Sequence, residues 1–329
     1  MKFMTMQISR TPLRISLGGG GTDLPSYYKQ RGEGFLVAAA INKYIYVAAH
    51  DNFVDRYLIK YSSIEDVETL QEIKHPLIRE ALDLVGVGPG IEITSIADIP
   101  AGTGLGSSGA FAVGLLRALY SREHVQISST DIASRACHLE MERLREPVGK
   151  QDQYIAALGG LTSFRYTDES VEAQSISMDP LDRKSLDEHL LLFYTGIQRR
   201  ASDELSALDA GASTSQSDIR RNLDQVLQLG YQAKDLLEQG SLDEFGRSLS
   251  EQWRMKFDRS PSKTHRDIDS LIKEGIAAGA EGGKLVGAGG GGFLLFFSEQ
   301  KTALRKLMQS SGLPEIDFHF DYAGTTIIS

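Results

Sequence analysis

The chain of 329 residues contains one cysteine, Cys137, so an internal disulfide cannot form. A lone thiol is consistent with a reducing compartment, and we expect a cytoplasmic protein. Basic residues are few, 35 Lys and Arg against 44 Asp and Glu, and the net charge of −9 argues against nucleic acid or an anionic membrane as a main partner. Apolar runs are too short to span a bilayer, and the N-terminal residues lack the apolar core of a signal peptide. A hydrophobic content of 41% is ordinary for a soluble globular protein.

Glycine is plentiful, with 33 residues, and its most informative cluster is the segment Pro100–Gly109. An alternating apolar run, 91–99, precedes the cluster and an apolar run, 110–120, follows it, which predicts strand, loop and helix. Glycines allow a close backbone approach to a ligand, and Ser107 or Ser108 is expected to cap the helix. The helix N-terminus would then face an anion. The loop therefore predicts a polyphosphate site, best suited to ATP, with these candidate residues: Pro100, Gly102, Gly104, Leu105, Gly106, Ser107, Ser108 and Gly109.

Two better-known phosphate loops do not match this segment. The P-loop requires a lysine that is absent here, and the dinucleotide fingerprint has a different glycine spacing. A tight turn that only closes a strand–helix unit remains the alternative. Two further glycine-rich segments weaken that alternative, Arg10–Asp23 near the start and Lys284–Phe293 near the end. The late segment spells G-x-G-x-x-G, but an apolar strand follows it instead of a helix, so a dinucleotide site is not expected there.

The periodicity of the chain predicts an α+β protein in two parts. Strands are expected at 12–17, 43–50, 56–61, 190–194 and 293–297. Helices are expected at 76–85, 110–121, 130–146, 202–210, 218–238, 241–257, 264–279 and 299–311. Strand-like segments around 315–328 complete the chain.

The three glycine-rich segments, in this order, resemble the GHMP kinases. The middle one, P-x-G-x-G-L-G-S-S, is highly specific to that family, and the late G-A-G-G-G-G-F moderately so. The resemblance implies a two-domain fold, with a ribosomal S5 domain 2-like domain over residues 1–185 that carries the ATP-binding glycine loop. A ferredoxin-like domain would follow over 186–329. It also implies a phosphotransferase that uses ATP and Mg²⁺, with a small-molecule sugar phosphate as its other partner and a homodimer left open.

The resemblance also assigns chemical roles. Asp152, in Lys150-Gln-Asp-Gln153, matches the catalytic aspartate of galactokinase-type sequences, and Arg14 matches an arginine beside the transferred phosphate. Glu140 and Ser108 would be the Mg²⁺ ligands. Helical spacing supports Glu140 independently, because it places this carboxylate on an otherwise apolar stripe, where an unpaired charge is costly. The alternatives are a helix-capping role for Asp152, an ion pair between Arg14 and Asp23 or Asp152, and a buried salt bridge for Glu140.

The substrate is expected to contact the early and late glycine segments and one lysine. These candidates are Gly20, Gly21, Thr22, Asp23, Lys150, Gly289 and Gly290. Asp23 would bind sugar hydroxyls or, alternatively, cap the following helix. The run Gly-Gly-Gly-Gly-Thr-Asp, together with Gly149–Tyr154, is most similar to family members that phosphorylate a heptose 7-phosphate. The 7-phosphate needs a cationic partner, for which Arg10, Lys43 and Lys150 are candidates.

Three other interpretations stay open at this stage. Fucokinase-like sequences share parts of the same pattern and would act on a sugar without a phosphate. A non-catalytic sugar sensor is a second alternative, and an ATP-using decarboxylase related to mevalonate metabolism is a third. The retained Arg14, Ser108, Glu140 and Asp152 favour an enzyme over a sensor.

Overall fold

A computed structural model describes residues 6–197, 206, 217–259, 262–287 and 291–329. The helix expected at 202–210 lies outside these residues except for residue 206, and so do the substrate candidates Gly289 and Gly290. The described chain contains two β-sheets covered by helices, and the predicted α+β class is confirmed.

The elements, in chain order, are labelled α1–α10 and β1–β11. The strands are β1 (Met6–Gly18), β2 (Gly34–Asp51), β3 (Tyr57–Lys60), β4 (Ile64–Val67), β5 (Ile91–Ala97), β6 (Leu161–Tyr166), β7 (Val171–Ser175), β8 (Leu190–Tyr194), β9 (Gly282–Leu285), β10 (Phe293–Phe297) and β11 (Thr326–Ile327). The helices are α1 (Pro25–Arg31), α2 (Pro76–Val85), α3 (Ser107–Arg122), α4 (Ser129–Cys137), α5 (Gln151–Leu158), α6 (Pro180–His189), α7 (Ser217–Glu238), α8 (Leu242–Arg259), α9 (Lys263–Ala277) and α10 (Lys301–Ser310). A 3₁₀ turn at Leu70–Glu72 and a π-helical turn at His138–Arg143 complete the list.

The larger sheet has eight strands and is built around the two longest, β1 and β2. Its order is β11-β1-β2-β5-β3-β4, while β6 also pairs with β2 and β7 pairs with β6. All its pairings are antiparallel except β3 with β5. Residues 35–41 of β2 are apolar and fully buried, because helices cover this sheet. Helices α3, α5 and α7 all pack on β1 and β2.

The smaller sheet has three antiparallel strands in the order β8-β10-β9, and α8 packs against β9 and β10. Strand β10 is the run Phe-Leu-Leu-Phe-Phe, and every residue in it is buried. Beyond this sheet the chain returns to the larger one, where β11 pairs with β1. The proposed division at 185/186 stays a prediction.

Several elements differ from the expected ones. The helix expected at 130–146 is α4 followed by the π-helical turn, and its N-cap is Ser128, whose hydroxyl accepts from the Asp131 N–H. The polar segment Lys150–Gln153 forms the N-cap and first turn of α5, and strands β6 and β7 were not expected. The helix expected at 76–85 has those bounds in the structure. The helix expected at 110–121 begins three residues earlier, inside the glycine loop, and its first turn lines an open cavity.

Candidate active site

One cavity of about 810 Å³ brings the three glycine-rich segments together. Predicted site residues that line it are Arg14, Gly20, Gly21, Asp23, Gly102, Gly104, Gly106, Ser107, Ser108, Gly109, Glu140 and Asp152. The early and middle segments meet where β1 passes the glycine loop. The middle and late segments touch directly, since a Cβ added to Gly287 would lie 2.5 Å from the Gly104 Cα. Segments that are far apart in sequence therefore form one continuous site.

The glycine loop delivers the N-terminus of α3 to this cavity. Gly106 is the N-cap, with a left-handed φ of 76°, and no side chain caps the helix. The expectation that Ser107 or Ser108 caps α3 is therefore wrong; the Ser108 hydroxyl points to a carboxylate instead. A Cβ at Gly106 would lie 3.0 Å from Arg14 Cγ and 3.1 Å from Asp152 Cγ, so glycine is needed both for φ and for space. The uncapped N–H groups suit phosphate oxygens.

Arg14 connects the loop to the aspartate. Its backbone N–H donates to the Leu105 carbonyl at 3.0 Å, and its Nη1 donates to the Gly104 carbonyl at 2.6 Å. Its Nε donates to Asp152 Oδ1 at 2.7 Å, and its Nη2 lies 2.7 Å from the same oxygen. The ion pair weighed as an alternative role for Arg14 is thus present. It does not exclude a role toward phosphate, because Arg14 also lines the cavity.

Asp152 lies in the first turn of α5 and lines the same cavity as Gly106. Both contacts from Arg14 reach its Oδ1, and among the described residues Oδ2 has no hydrogen-bond partner. The side chain is 29% exposed, so a ligand in the cavity can reach it. One carboxylate oxygen is therefore fixed and the other is left to accept a proton or a hydrogen bond.

Glu140 is buried, with an exposure of 1%. The Ser108 hydroxyl donates to its Oε1 at 2.5 Å, and the Gln153 amide donates to its Oε2 at 2.5 Å. Burial is the main cause that raises the pKa of Glu140 to about 7. The charge of Asp152 also raises this pKa, whereas the two hydrogen bonds lower it. The π-helical turn aims this carboxylate at Ser108, an arrangement that the regular helix expected from the sequence does not contain.

A carboxylate and a hydroxyl are hard oxygen donors of the kind Mg²⁺ prefers. Ser108 and Glu140 both line the cavity beside the phosphate-binding loop. Across the described ranges, no group of three or more His, Cys, Asp or Glu side chains could hold a metal ion. The pair fits Mg²⁺ because this ion typically takes one or two protein ligands together with substrate phosphates.

Asp23 is buried beside the start of α5. Its Oδ1 accepts from the Gly21 N–H at 3.2 Å and its Oδ2 from the Gln151 N–H at 3.1 Å. Burial raises the pKa of Asp23 despite these bonds. It does not cap α1, whose N-cap is Leu24, so the capping alternative is wrong. The neighbouring Thr22 is turned away, since its hydroxyl bonds the carbonyls of Gly19 and Phe35.

Four predicted residues do not line the cavity: Pro100, Leu105, Thr22 and Lys150. The Lys150 ammonium lies over the Tyr28 ring, 5.1 Å from its centroid. Of the other two candidates for a substrate phosphate, Arg10 packs on the Tyr44 ring, and Lys43 is also absent from the lining. Roles of these residues toward the substrate stay predictions, and none of the residues lines the cavity.

The cavity instead receives cations that sequence reasoning missed, Lys256 and Arg259 on α8 and Lys284 on β9. We call these three residues the basic wall. The cavity carboxylates within the described residues are Asp23, Glu140, Glu146 and Asp152, and we call them the acidic wall. A sequence signal exists, because Gln252, Lys256 and Arg259 follow the i, i+4, i+7 spacing of one helix face.

Aromatic and aliphatic side chains close the end of the cavity beyond the glycine loop. Tyr61 and His75 meet edge to face, with centroids 4.8 Å apart, and Phe111 lies 5.5 Å from His75. Burial lowers the pKa of His75, which favours the neutral ring. This end suits a flat, uncharged base.

Comparison with known proteins identifies the family. A model of the GHMP kinases N-terminal domain matches residues 71–160, and a model of the GHMP kinases C-terminal domain matches residues 233–310. The two matches cover about half of the chain and include the glycine loop, Glu140 and Asp152. The chain belongs to the GHMP kinase family. It is therefore a phosphotransferase with an alcohol group as acceptor, and the predicted family and fold are confirmed.

The relatives of this GHMP kinase include several that act on sugars. A D-glycero-alpha-D-manno-heptose 7-phosphate kinase from Campylobacter jejuni is 26% identical over 96% of this chain and 97% of its own length. An L-fucokinase/L-fucose-1-P guanylyltransferase from Bacteroides fragilis is 29% identical over 91% of this chain, which spans 35% of that longer protein. A solved D-glycero-D-manno-heptose 1-phosphate kinase from Bacteroides thetaiotaomicron has the same fold, with a TM-score of 0.78 and 23% identity over 99% of both chains.

In this GHMP kinase, no helix within the described ranges is long and apolar enough to cross a membrane.

Proposed function

We propose that this GHMP kinase transfers the γ-phosphoryl group of ATP to the anomeric hydroxyl of D-glycero-D-manno-heptose 7-phosphate. The products would be the 1,7-bisphosphate and ADP. The observation that carries this proposal is the Arg14–Asp152 pair packed against Gly106, inside one cavity with Ser108 and Glu140. The Campylobacter jejuni relative, matched over nearly its whole length, supports the heptose substrate.

The proposed step is a single displacement at phosphorus. The anomeric oxygen forms a bond to the γ-phosphorus, the bond to the bridging oxygen of ADP breaks, and the hydroxyl proton passes to Asp152 Oδ2. An aspartate is a weak base, which is acceptable because phosphoryl transfer depends mainly on positioning and charge stabilisation. Arg14 would hold Asp152 in place through Oδ1 and face the transferred group.

The nucleotide would lie along the glycine loop, with its phosphates at the N-terminus of α3 and its base at the aromatic end of the cavity. Ser108 and Glu140 would hold Mg²⁺, which when bound neutralises charge on the β- and γ-phosphates. Asp23 would accept hydrogen bonds from sugar hydroxyls near Gly20 and Gly21. A cytoplasmic location, where ATP is available, is part of this proposal.

A substrate panel tests the proposal. Purified protein with MgATP would be assayed for ADP release against heptose 7-phosphate, L-fucose, galactose, mannose 6-phosphate and mevalonate. We expect kcat/KM to be highest for heptose 7-phosphate. A response confined to L-fucose would favour the fucokinase alternative that the Bacteroides fragilis relative suggests, and no response to any member would overturn the proposal.

A further inference from the structure

The basic wall is the part of the cavity to which the proposed chemistry gives no task. Phosphates of the nucleotide have the glycine loop and the N-terminus of α3, and the transferred group has Arg14. Lys256, Arg259 and Lys284 come instead from α8 and β9 and line the same cavity. A set of cations in a ligand cavity indicates a further anionic group on a ligand.

Lys284 is the most informative member because it is buried, with an exposure of 7%. Within the described residues its ammonium makes one polar contact, to the Gln252 amide oxygen at 2.7 Å, and no ion pair. A buried ammonium that lacks a counter-charge is unfavourable. Burial, with the neighbouring charges of Lys256 and Arg14, lowers the pKa of Lys284 well below its usual value. An anion in the cavity would relieve this cost.

Gln252 connects Lys284 to the part of the chain that we assign to the sugar. Its amide nitrogen donates to the Leu17 carbonyl at 2.9 Å, while its amide oxygen accepts from Lys284. Leu17 precedes the segment with Gly20, Gly21 and Asp23, which we assign to the sugar. The ammonium is thus tied to the backbone that leads into the sugar segment.

The rest of the basic wall is continuous with Lys284. Lys256 lies one turn after Gln252 on α8, and its ammonium donates to the carbonyl of Gly287, three residues after Lys284. Arg259 follows on the same helix face and lines the same cavity. Three cations from two elements therefore line one cavity, and cationic side chains of this kind bind a doubly charged phosphate.

We propose that Lys284, together with Lys256 and Arg259, forms an anion subsite that binds the phosphate already present on the sugar substrate. The subsite selects a phosphorylated sugar over the corresponding free sugar. This inference rests on the proposed function in one respect, the presence of a sugar phosphate in the cavity.

A binding experiment tests the subsite without any sugar. Trp253 is the only tryptophan of the chain and lines the cavity beside Lys256, so its fluorescence reports on the basic wall. Sulfate, a dianion that resembles phosphate, would be titrated in the presence of saturating MgADP, which occupies the nucleotide end. We expect saturable quenching in the wild type and at least about tenfold weaker binding in Lys284→Met, the loss of one charge-assisted hydrogen bond.

Two further variants separate a binding role from a structural one. Lys284→Arg keeps the charge and should bind sulfate within about threefold of the wild type, while Lys306→Met removes an exposed lysine on α10 and should change nothing. MgADP affinity should be equal in all four proteins, which shows that each is folded. Sulfate binding that is unchanged in Lys284→Met would overturn the subsite.

Kinetics then test selectivity with heptose 7-phosphate and the free heptose. Lys284→Met should raise KM for the phosphorylated sugar at least about tenfold and leave kcat/KM for the free sugar and KM for ATP within about threefold. An equal effect on both sugars, or an effect on KM for ATP instead, would overturn the proposal. If no sugar is phosphorylated but sulfate binding depends on Lys284, the subsite stands and the proposed function fails.

Discussion

The acidic and basic walls of the cavity are built in different ways. On the acidic wall three of the four carboxylates have partners inside the protein: Asp152 has Arg14, Glu140 has Ser108 and Gln153, and Asp23 has two backbone N–H groups. On the basic wall, the buried ammonium of Lys284 has one partner among the residues that the structure describes, the neutral Gln252 amide. The protein therefore holds these carboxylates in place, whereas Lys284 has no counter-charge among the described residues and an anionic ligand could supply one.

The two walls also differ in how the sequence encodes them. Most of the acidic wall follows from short motifs, in which glycines and the reactive side chains are near neighbours. The basic wall combines one face of α8 with one residue of β9, and only tertiary structure brings them together. The contrast suggests that the walls divide the work, with chemistry on one and choice of substrate on the other.

The largest effect is expected for Asp152→Asn. If this variant kept full activity, the claim that the acidic wall performs the chemistry would be wrong. The amide cannot accept the hydroxyl proton as a carboxylate does, so kcat should fall about 10³-fold, within the usual range for a lost general base. MgATP affinity, measured by calorimetry, should stay near that of the wild type. Asp168→Asn, which alters an exposed ion pair with Lys29, is the matched control and should keep full activity.

The next effect is expected for Arg14→Lys. A guanidinium contacts Asp152 and the Gly104 carbonyl together, and an ammonium cannot reproduce that geometry. We expect kcat to fall about 10²-fold, less than the range for complete loss of an arginine beside a transferred phosphate. Arg165→Lys, at an exposed pair with Glu33, is the control. A change in KM for ATP alone would contradict the role in the chemical step.

The sequence supported a correct prediction of the family and the α+β fold, and the structure places Arg14, Ser108, Glu140 and Asp152 in one cavity. The reason is physical: a loop that approaches phosphate closely tolerates few residues other than glycine, and the periodicity of apolar residues marks Glu140 as buried. Such constraints act locally, so they are visible in a linear chain.

Other features depend on which of several possible contacts a side chain makes in the folded protein, and the sequence does not display that choice. The Ser108 hydroxyl donates a hydrogen bond to Glu140, 32 positions later in the chain, and therefore does not cap the helix. The π-helical turn that holds Glu140 looks like ordinary helix in the residue pattern. Lys150 is near Asp152 in sequence, but at the start of α5 its ammonium lies over the Tyr28 ring.

A smaller effect, on stability, is expected for Glu140→Gln in the absence of Mg²⁺. The pKa of Glu140 is raised to about 7, so the folded state favours the protonated carboxyl, and this stability is lost as the pH rises through that value. Glutamine mimics the protonated form. Relative to the variant, the wild type should lose about 2–3 kcal/mol of unfolding free energy between about pH 5 and pH 8.

Urea unfolding in EDTA at several pH values measures this difference. Glu169→Gln changes an exposed carboxylate and should follow the wild type at every pH. Added Mg²⁺ should stabilise the wild type at alkaline pH and leave Glu140→Gln little changed, because the ion needs the carboxylate. If the unfolding free energies of the wild type and Glu140→Gln changed in parallel with pH, they would contradict the burial of a carboxylate with a raised pKa on the acidic wall.

The smallest effect is expected for Lys150→Met, which sharpens the assignment of substrate selection to the basic wall. Lys150 is outside the cavity lining and its ammonium lies over Tyr28, so KM for heptose 7-phosphate should change by less than about threefold. Loss of the contact with the ring should lower the unfolding free energy by about 0.5–1 kcal/mol. If Lys150→Met instead raised KM as strongly as Lys284→Met is expected to, the phosphate would be bound beside Asp152. Both functions would then belong to the acidic side of the cavity, and the division of work between the walls would be wrong.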